Sequence, residues 1–425
     1  MLLYNKKALQ HYLLIYLMLL INGSYVYYTI ISKYIYVTLG IFACLLLVIR
    51  RLRNRWAMLA IVGLMAFTVI IRMTVGGIGM DAFTVWIVYI LSASVAFDFN
   101  REKFVSRYVR LVVFMSVISL IFFVLVQINS SLAIALTPFH FIGGSDYQGD
   151  VIMHGLFLYT VNPWHITKNT SVFGEPGVYQ IVLNSAIMCL LFLEDKCEMT
   201  QKTRNKYLLV LLLTVATCQS TTGYFGIAII AVGYIFFSGK MADKKYKWRI
   251  LGVFSVAVII LLTDYYVNQS ESLLVKSLIS KVFTSAGTFD LTATSGQYRI
   301  GTIELCIKSL AVYPLGVGYD AVQKLLSTRD GLVGAKILTS AAACGIPWLV
   351  FVLTWIFYTI LASNRHWAYK IVFIVLYFNT ALAQSQEFYP ALIMFTIIAA
   401  CDNKAKRRFL NDTVGEIYKI ERIRA

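Results

Sequence analysis

The chain has 425 residues and a formal net charge of +17, with 59% hydrophobic and 14% charged residues. Soluble proteins run near roughly 45–50% apolar and 25% charged, and a soluble fold has too few buried positions to hide this much apolar surface. Composition therefore excludes a soluble enzyme and predicts an all-α polytopic membrane protein.

A spanning helix needs about 20 mostly apolar residues. In chain order such runs lie near 9–30, 34–49, 56–72, 82–98, 109–127, 176–193, 207–220, 222–239, 250–265, 337–362, 370–384 and 389–401. The N-terminal run is too long and too aromatic for a cleaved signal and is taken as the first of about twelve transmembrane helices. All belong to a single integral membrane domain, residues 1–425.

The connections alternate in charge. Lys6 and Lys7, the RRLRNR run at 50–55, Arg101 to Arg110, Lys196 to Lys206, Lys240 to Arg249, Arg365 with Lys370, and the tail from Lys404 hold 28 of the 38 Lys and Arg. The positive-inside rule assigns these connections, both termini and a tail of about 402–425 to the cytoplasm. The basic excess is thus a topology signal and a contact with anionic membrane lipid, not a nucleic-acid footprint.

Two connections, about 127–175 and about 264–336, are too long and polar for turns and fall on the outer side. Both are rich in aromatic and apolar residues, which predicts ordered loops containing amphipathic helices. In RIGTIELCIKSLAVY, residues 299–313, Ile300, Ile303, Ile307 and Leu310 share one face, and Glu304 pairs with Lys308 on another. This predicts a helix lying on the outer leaflet.

Three segments carry the candidate chemistry. In KNTSVFGEPGVYQIVLNSA, residues 168–186, Glu175 precedes Pro176 where the first outer loop enters the sixth span. Pro there starts a helix and an acid suits the helix dipole, so Glu175 is either a cap or a functional carboxylate at the membrane boundary. In SGQYRIGTIELCIKSLAVYPLGVGYD, residues 295–320, Arg299 is either a snorkelling anchor or a fork of donors suited to phosphate or pyrophosphate. In CQSTTGYFG, residues 218–226, Ser220 and Thr221 cap a helix or bond substrate hydroxyls across a tight outer hairpin. Lys168, His165, His154, His140, Arg72, Asp81 and Glu387 complete the outer polar set, with His165 three residues from Lys168. The seven cysteines form no CxxC or Cys/His cluster, so neither a disulfide framework nor a metal site is expected, and no nucleotide-binding or hydrolase fingerprint appears.

FGEPGVYQI, the CQSTTGY hairpin, the Arg299 to YPLGVGY segment and the two long outer loops resemble the Wzy-type O-antigen and oligosaccharide repeat-unit polymerases, in the superfamily that includes the O-antigen ligases. Members often carry an Arg seven residues before the Glu-Pro pair; here that position is Lys168, which keeps the charge without the planar fork. Ligases are similar in carrying a functional His in the second outer loop, and residues 264–336 contain none.

The resemblance implies a glycosyltransferase of surface-polysaccharide biosynthesis (O-antigen, capsule or exopolysaccharide) on the outer face of the bacterial cytoplasmic membrane. It moves glycan from undecaprenyl pyrophosphate to a sugar hydroxyl of another lipid-linked unit. No cofactor is implied. Glu175 is the implied base with His165 as understudy, Arg299 and Lys168 the pyrophosphate clamp with Arg72 a third, and Tyr179, with Tyr159 and Trp164, a stacking platform for sugars. Partners implied are the undecaprenyl-pyrophosphate-linked oligosaccharide and other assembly proteins such as a chain-length regulator. The alternatives are a ligase-type glycan transferase and, from another class, a flippase for lipid-linked oligosaccharide.

Overall fold

A computed structural model describes residues 6–21, 23–48, 55–74, 80–137, 139–145, 149–155, 157–237, 294–327, 335–384 and 388–403, with isolated residues between 248 and 267. Most of the expected ninth span, all of residues 268–293, Glu387, the tail from Lys404, and the side chains of Arg72 and Asp81 lie outside the described residues.

The described chain is mostly helical. Helix α1 is Lys6–Leu20, and the chain then turns at Gly23, which takes φ +78°. Helical structure resumes at Tyr25, passes through a π turn, Tyr27–Ile31, and a 3-10 turn, Ser32–Tyr34, and becomes α2, Ile35–Val48. The first two spans are thus divided near residue 22 rather than near 32. The Asn-Gly-Ser signal at 22–24 lies inside a run apolar enough to mask it. Helices α3, Arg55–Thr74, α4, Met80–Phe99, and α5, Phe104–Ile128, follow.

After α5 come a short helix, α6, Ser130–Ala135, and a two-stranded antiparallel hairpin of β1, His140–Ser145, and β2, Gly149–His154, registered with His140 opposite His154. The expected amphipathic helix of this loop is therefore only α6, and a hairpin accompanies it. Next come α7, Pro176–Phe192, α8, Glu194–Cys197, α9, Gln201–Cys218, and α10, Thr221–Phe237. The second long connection contributes α11, Thr294–Val312, and α12, Tyr319–Ser327. The expected tenth span is broken at Gly345, φ +90°, into α13, Lys336–Cys344, and α14, Ile346–Ala362. Helices α15, Trp367–Ala383, and α16, Pro390–Asn403, close the fold. By length and composition, segments Thr29–Val48 and Phe104–Ile128 could cross a membrane, and shorter apolar helices accompany them.

Packing explains the order. Helices α1, α2 and α3 lie against α4, while α5, α9 and α10 surround α7, and α10 also lies against α15. Every residue of α7 is buried, as expected for a helix apolar on all sides. Small residues set the close approaches: a Cβ on Gly226 would strike the Asn184 amide, and one on Gly233 would strike Val372. Trp56 and Trp355 exchange indole donors reciprocally, Nε1 to carbonyl at 2.9 and 2.8 Å, tying α3 to α14.

The charged connections gather into one set. Lys103 reaches Glu198 at 2.6 Å, Lys196 reaches Asp402 at 2.9 Å, and Arg365 bridges Asp195 at 2.7 Å and Asp402 at 3.4 Å. Burial alone would raise the Asp195 pKa, but the Arg365 fork overrides it and holds the carboxylate below its ordinary range. The uncharged turns meet elsewhere: Gln127 donates to the Ile166 carbonyl at 2.7 Å and Gln219 to the Thr167 carbonyl at 3.1 Å.

Gly233→Leu drives four carbons into Val372 and is expected to cost about 1–3 kcal/mol. Thermal unfolding in detergent, followed by circular dichroism, measures it; an unchanged midpoint would contradict the α10–α15 contact.

Candidate functional site

The segment leading to α7 folds on its own polar side chains. Asn162 accepts from the Trp164 amide at 3.0 Å and starts a 3-10 turn, Pro163–His165, with Pro at its first position. Its amide donates to the Gly174 carbonyl at 2.7 Å and to the Tyr25 hydroxyl at 3.3 Å. Buried Asn169 donates to Ser119 and Thr217 hydroxyls at 3.2 and 3.1 Å and accepts from the Ser171 amide at 3.2 Å. Thr160 and Ser171 join backbones at 2.8 Å. Ser171 at φ +49° and Gly174 at φ +65° then reverse the chain. The Tyr25 ring lies directly on Gly174, where a Cβ would overlap it.

Glu175 is the residue before the first turn of α7. Its backbone carbonyl accepts from the Val178 and Tyr179 amides at 3.2 and 3.1 Å, but its side chain makes no capping bond. Pro176 at the first helical position removes one donor, and the carboxylate points elsewhere. The side chain is exposed to solvent yet crowded by neighbouring protein, a crevice-like position. Desolvation raises its pKa above the ordinary carboxylate range, opposed first by Arg299 and then by Lys168. Lys168 and Arg299 are both half-buried. Burial lowers the pKa of each, and the Glu175 charge opposes that in both. Among the described residues no contact ion pair joins the three, so a carboxylate and two cations face one another without closing.

Arg299 reaches this crevice because of how α11 packs. The helix begins at Thr294, so Arg299 sits in its second turn rather than at its start. Its buried face is Thr302 and Cys306, set against α13 with buried Ser340, Ala341, Ala342 and Ala343. The isoleucine face lies away from this contact, Ile300 and Ile307 being exposed. Small residues on both helices let the backbones approach, and Arg299 lies one turn from Thr302 on the packed face. The PLGVG segment then locks against the end of α13. Val317 and Gly318 amides donate to the Ala342 and Ala343 carbonyls at 3.1 and 3.0 Å, and the Ile346 amide donates to the Pro314 carbonyl at 2.8 Å. These bonds occupy carbonyls that a helix C-terminus leaves unpaired.

The structure brings Glu175, Lys168 and Arg299 together, three of the residues that the sequence singles out. His165 lies beside them, half-buried, its carbonyl accepting from the Lys168 amide at 2.8 Å. Ser220 is buried and Thr221 half-buried at the α9–α10 turn, whose Gln219 holds the Thr167 carbonyl one residue from Lys168. Tyr179 does not line the crevice. It is fully buried, stacked on Phe173, and its hydroxyl meets Ser119 at 3.0 Å and Ser116 at 3.3 Å. A tyrosine four residues into α7 faces the core because α5 and α9 cover that side. Tyr159 is likewise buried, stacked on Phe122. The Arg72 side chain lies outside the described residues.

Residues unforeseen from sequence complete the site. Tyr25 comes from the α1–α2 turn, Asn162 from the first outer loop, and Gln384 from the end of α15, its amide covering Gly177. The turn signal at Gly23 would have put Tyr25 on the outer side; nothing local marks Gln384. Among the described residues no group of three His, Cys, Asp or Glu forms a metal cluster. No known protein family, curated protein or solved structure matches the chain.

Gly174→Ala adds a Cβ at positive φ and displaces Tyr25, at an expected cost of about 1–3 kcal/mol. Gly40→Ala, in open space on α2, is expected to be neutral or to stabilise by up to about 1 kcal/mol. The two melting temperatures in detergent check the pair; equal shifts would contradict the packed turn.

Proposed function

We propose that the chain is a polymerase of lipid-linked oligosaccharide repeat units acting at the outer face of the bacterial cytoplasmic membrane. The observation that carries this proposal is that Lys168, on the same loop, and Arg299, from a loop more than a hundred residues away, both act electrostatically on the Glu175 carboxylate without closing an ion pair. In the reaction, an acceptor sugar hydroxyl attacks the anomeric carbon of the donor glycan. Glu175 takes the hydroxyl proton, the bond to the undecaprenyl pyrophosphate oxygen breaks, and Lys168 and Arg299 hold the negative charge that appears there. The raised Glu175 pKa favours this role, because a more basic carboxylate removes a hydroxyl proton more readily.

The accompanying topology is about twelve spans with both termini cytoplasmic. It is supported by the gathering of Lys103, Lys196, Arg365 and their carboxylates into one set of connections and of the Glu175 loop into the other. A flippase reading draws on amides within the helices, buried Gln180 and Asn184 and half-buried Asn379. These are uncharged, and they bond one another or nearby carbonyls, Asn184 to Gln180 at 2.8 Å and Asn379 to the Thr222 carbonyl at 3.1 Å. The charged groups lie at helix ends, which favours a surface reaction over a translocation path.

With purified lipid-linked repeat units in liposomes, Glu175→Gln is expected to lower polymerisation by about 10²–10⁴-fold. Because the native pKa is raised, ionised Glu175 costs folding stability above that pKa, so the Gln variant is expected to be no less stable at neutral pH. Wild-type polymerisation is expected to rise with pH through a value above the ordinary carboxylate range. Arg299→Lys keeps the charge but not the fork and is expected to lose most activity. Normal polymer length from both variants at normal protein level would overturn the assignment.

In a cysteine-free background, Ser327→Cys is expected to react with an impermeant maleimide in intact cells, and Lys202→Cys only after lysis. The reverse pattern would invert the topology.

A further inference from the structure

The first outer loop is strangely uncharged for a segment in water. From Ile128 to Thr167 its formal charges are Asp146 and Asp150 alone. Large apolar side chains are exposed along it, Leu132 and Leu136 on and after α6, Phe139 before β1, and Phe157 and Leu158 beyond β2, the last 58% exposed, beside the exposed polar residues Asn129, Ser131 and His140. Phe139 and Phe157 meet edge to face with centroids 6.1 Å apart.

The contacts of this loop reveal its depth. Tyr159 stacks flat on Phe122, with centroids 5.3 Å apart. Phe122 lies six residues before the end of α5, about 9 Å below it at 1.5 Å per residue. The Phe157 carbonyl accepts from the Tyr16 hydroxyl, and Tyr16 lies four residues, about 6 Å, before the end of α1. Two separate helices therefore hold residues 157–159 alongside their last turns rather than above them. α5 itself, 25 residues long, exceeds the ~30 Å hydrocarbon thickness.

Internal pairing of backbone favours such a depth, and several groups of the loop have it. Val161 and His154 exchange both backbone bonds at 2.7 and 3.2 Å, Thr160 donates to Ser171 at 2.8 Å, and Gly155 donates to Phe139 at 2.6 Å. The hairpin pairs its own strands. The segment thus turns large apolar side chains outward while the backbone on either side of residues 157–159 is paired inward.

We infer that residues 132–139 and 157–158 form a lipid-facing insert in the outer leaflet, with acyl chains as the occupant of their exposed face. The inference requires that α5 cross the membrane and is independent of what Glu175 catalyses. It also places Lys168, which follows the insert, at the level of lipid phosphates.

The test is power-saturation electron paramagnetic resonance in liposomes, using a nitroxide on Leu158→Cys and, separately, on Leu136→Cys in a cysteine-free background. The expected result is high accessibility to oxygen and low accessibility to a water-soluble nickel chelate at both sites, with the opposite at Ser327→Cys. High nickel accessibility at 158 and 136 would overturn the insert. An immobile label reached by neither reagent would also overturn it, because a second copy or another protein would then cover the face.

Discussion

Everything near the crevice depends on the enclosure of α7. A helix buried along its whole length has no water to satisfy polar groups, so a charge on it is tolerable only at an end. Glu175 occupies the last place where the chain can carry one. Below it, polarity continues only as neutral amides that bond one another: Gln180 to the Gly177 carbonyl at 2.9 Å, then Asn184 to Gln180 at 2.8 Å. The glycines on α10 are the counterpart of those amides, since Gly226 makes the space that Asn184 fills.

The electrostatics follow from the same enclosure. Removal of water raises the pKa of the acid and lowers those of the two bases, so all three groups move toward neutrality. Mutual attraction restrains each shift without cancelling it, because the groups remain apart. The contrast with the other end of the bundle is instructive. There Arg365 closes on Asp195 through both carboxylate oxygens at 2.7 and 2.9 Å, and the attraction outweighs desolvation. Closed pairs suit a clasp between connections. An unclosed cluster suits a site that must accept charge from outside.

Rigid support for the cluster comes from turns that bond each other instead of water. Asn162 connects Gly174 to Tyr25, Gln219 holds the turn carrying Lys168, and the PLGVG segment holds α11 to the end of α13. Each charged residue is thereby attached to a different helix pair: Lys168 to the α9–α10 turn, Glu175 to α7, Arg299 to the α11–α13 contact. Their relative positions are set by how those helices pack.

Composition and hydropathy by themselves determined that the chain is helical and apolar beyond what a soluble fold can bury, and local motifs singled out Glu175, Lys168 and Arg299. Those properties were legible because each is local: a run of apolar residues, an acid before Pro-Gly, a cation at the head of an amphipathic stretch. The divided first span and the break at Gly345 were not legible. Apolar runs look alike whether or not a turn interrupts them, and which apolar face packs depends on the neighbour presented to it. Only the tertiary structure decided that Tyr179 faces the core, that Tyr25 and Gln384 lie on the glycines flanking Glu175 and Pro176, and that distant Arg299 joins Lys168 in acting on one carboxylate. These are contacts between segments far apart in sequence, and they are set by the close approach of helix backbones at small residues, which no periodicity within a single segment encodes.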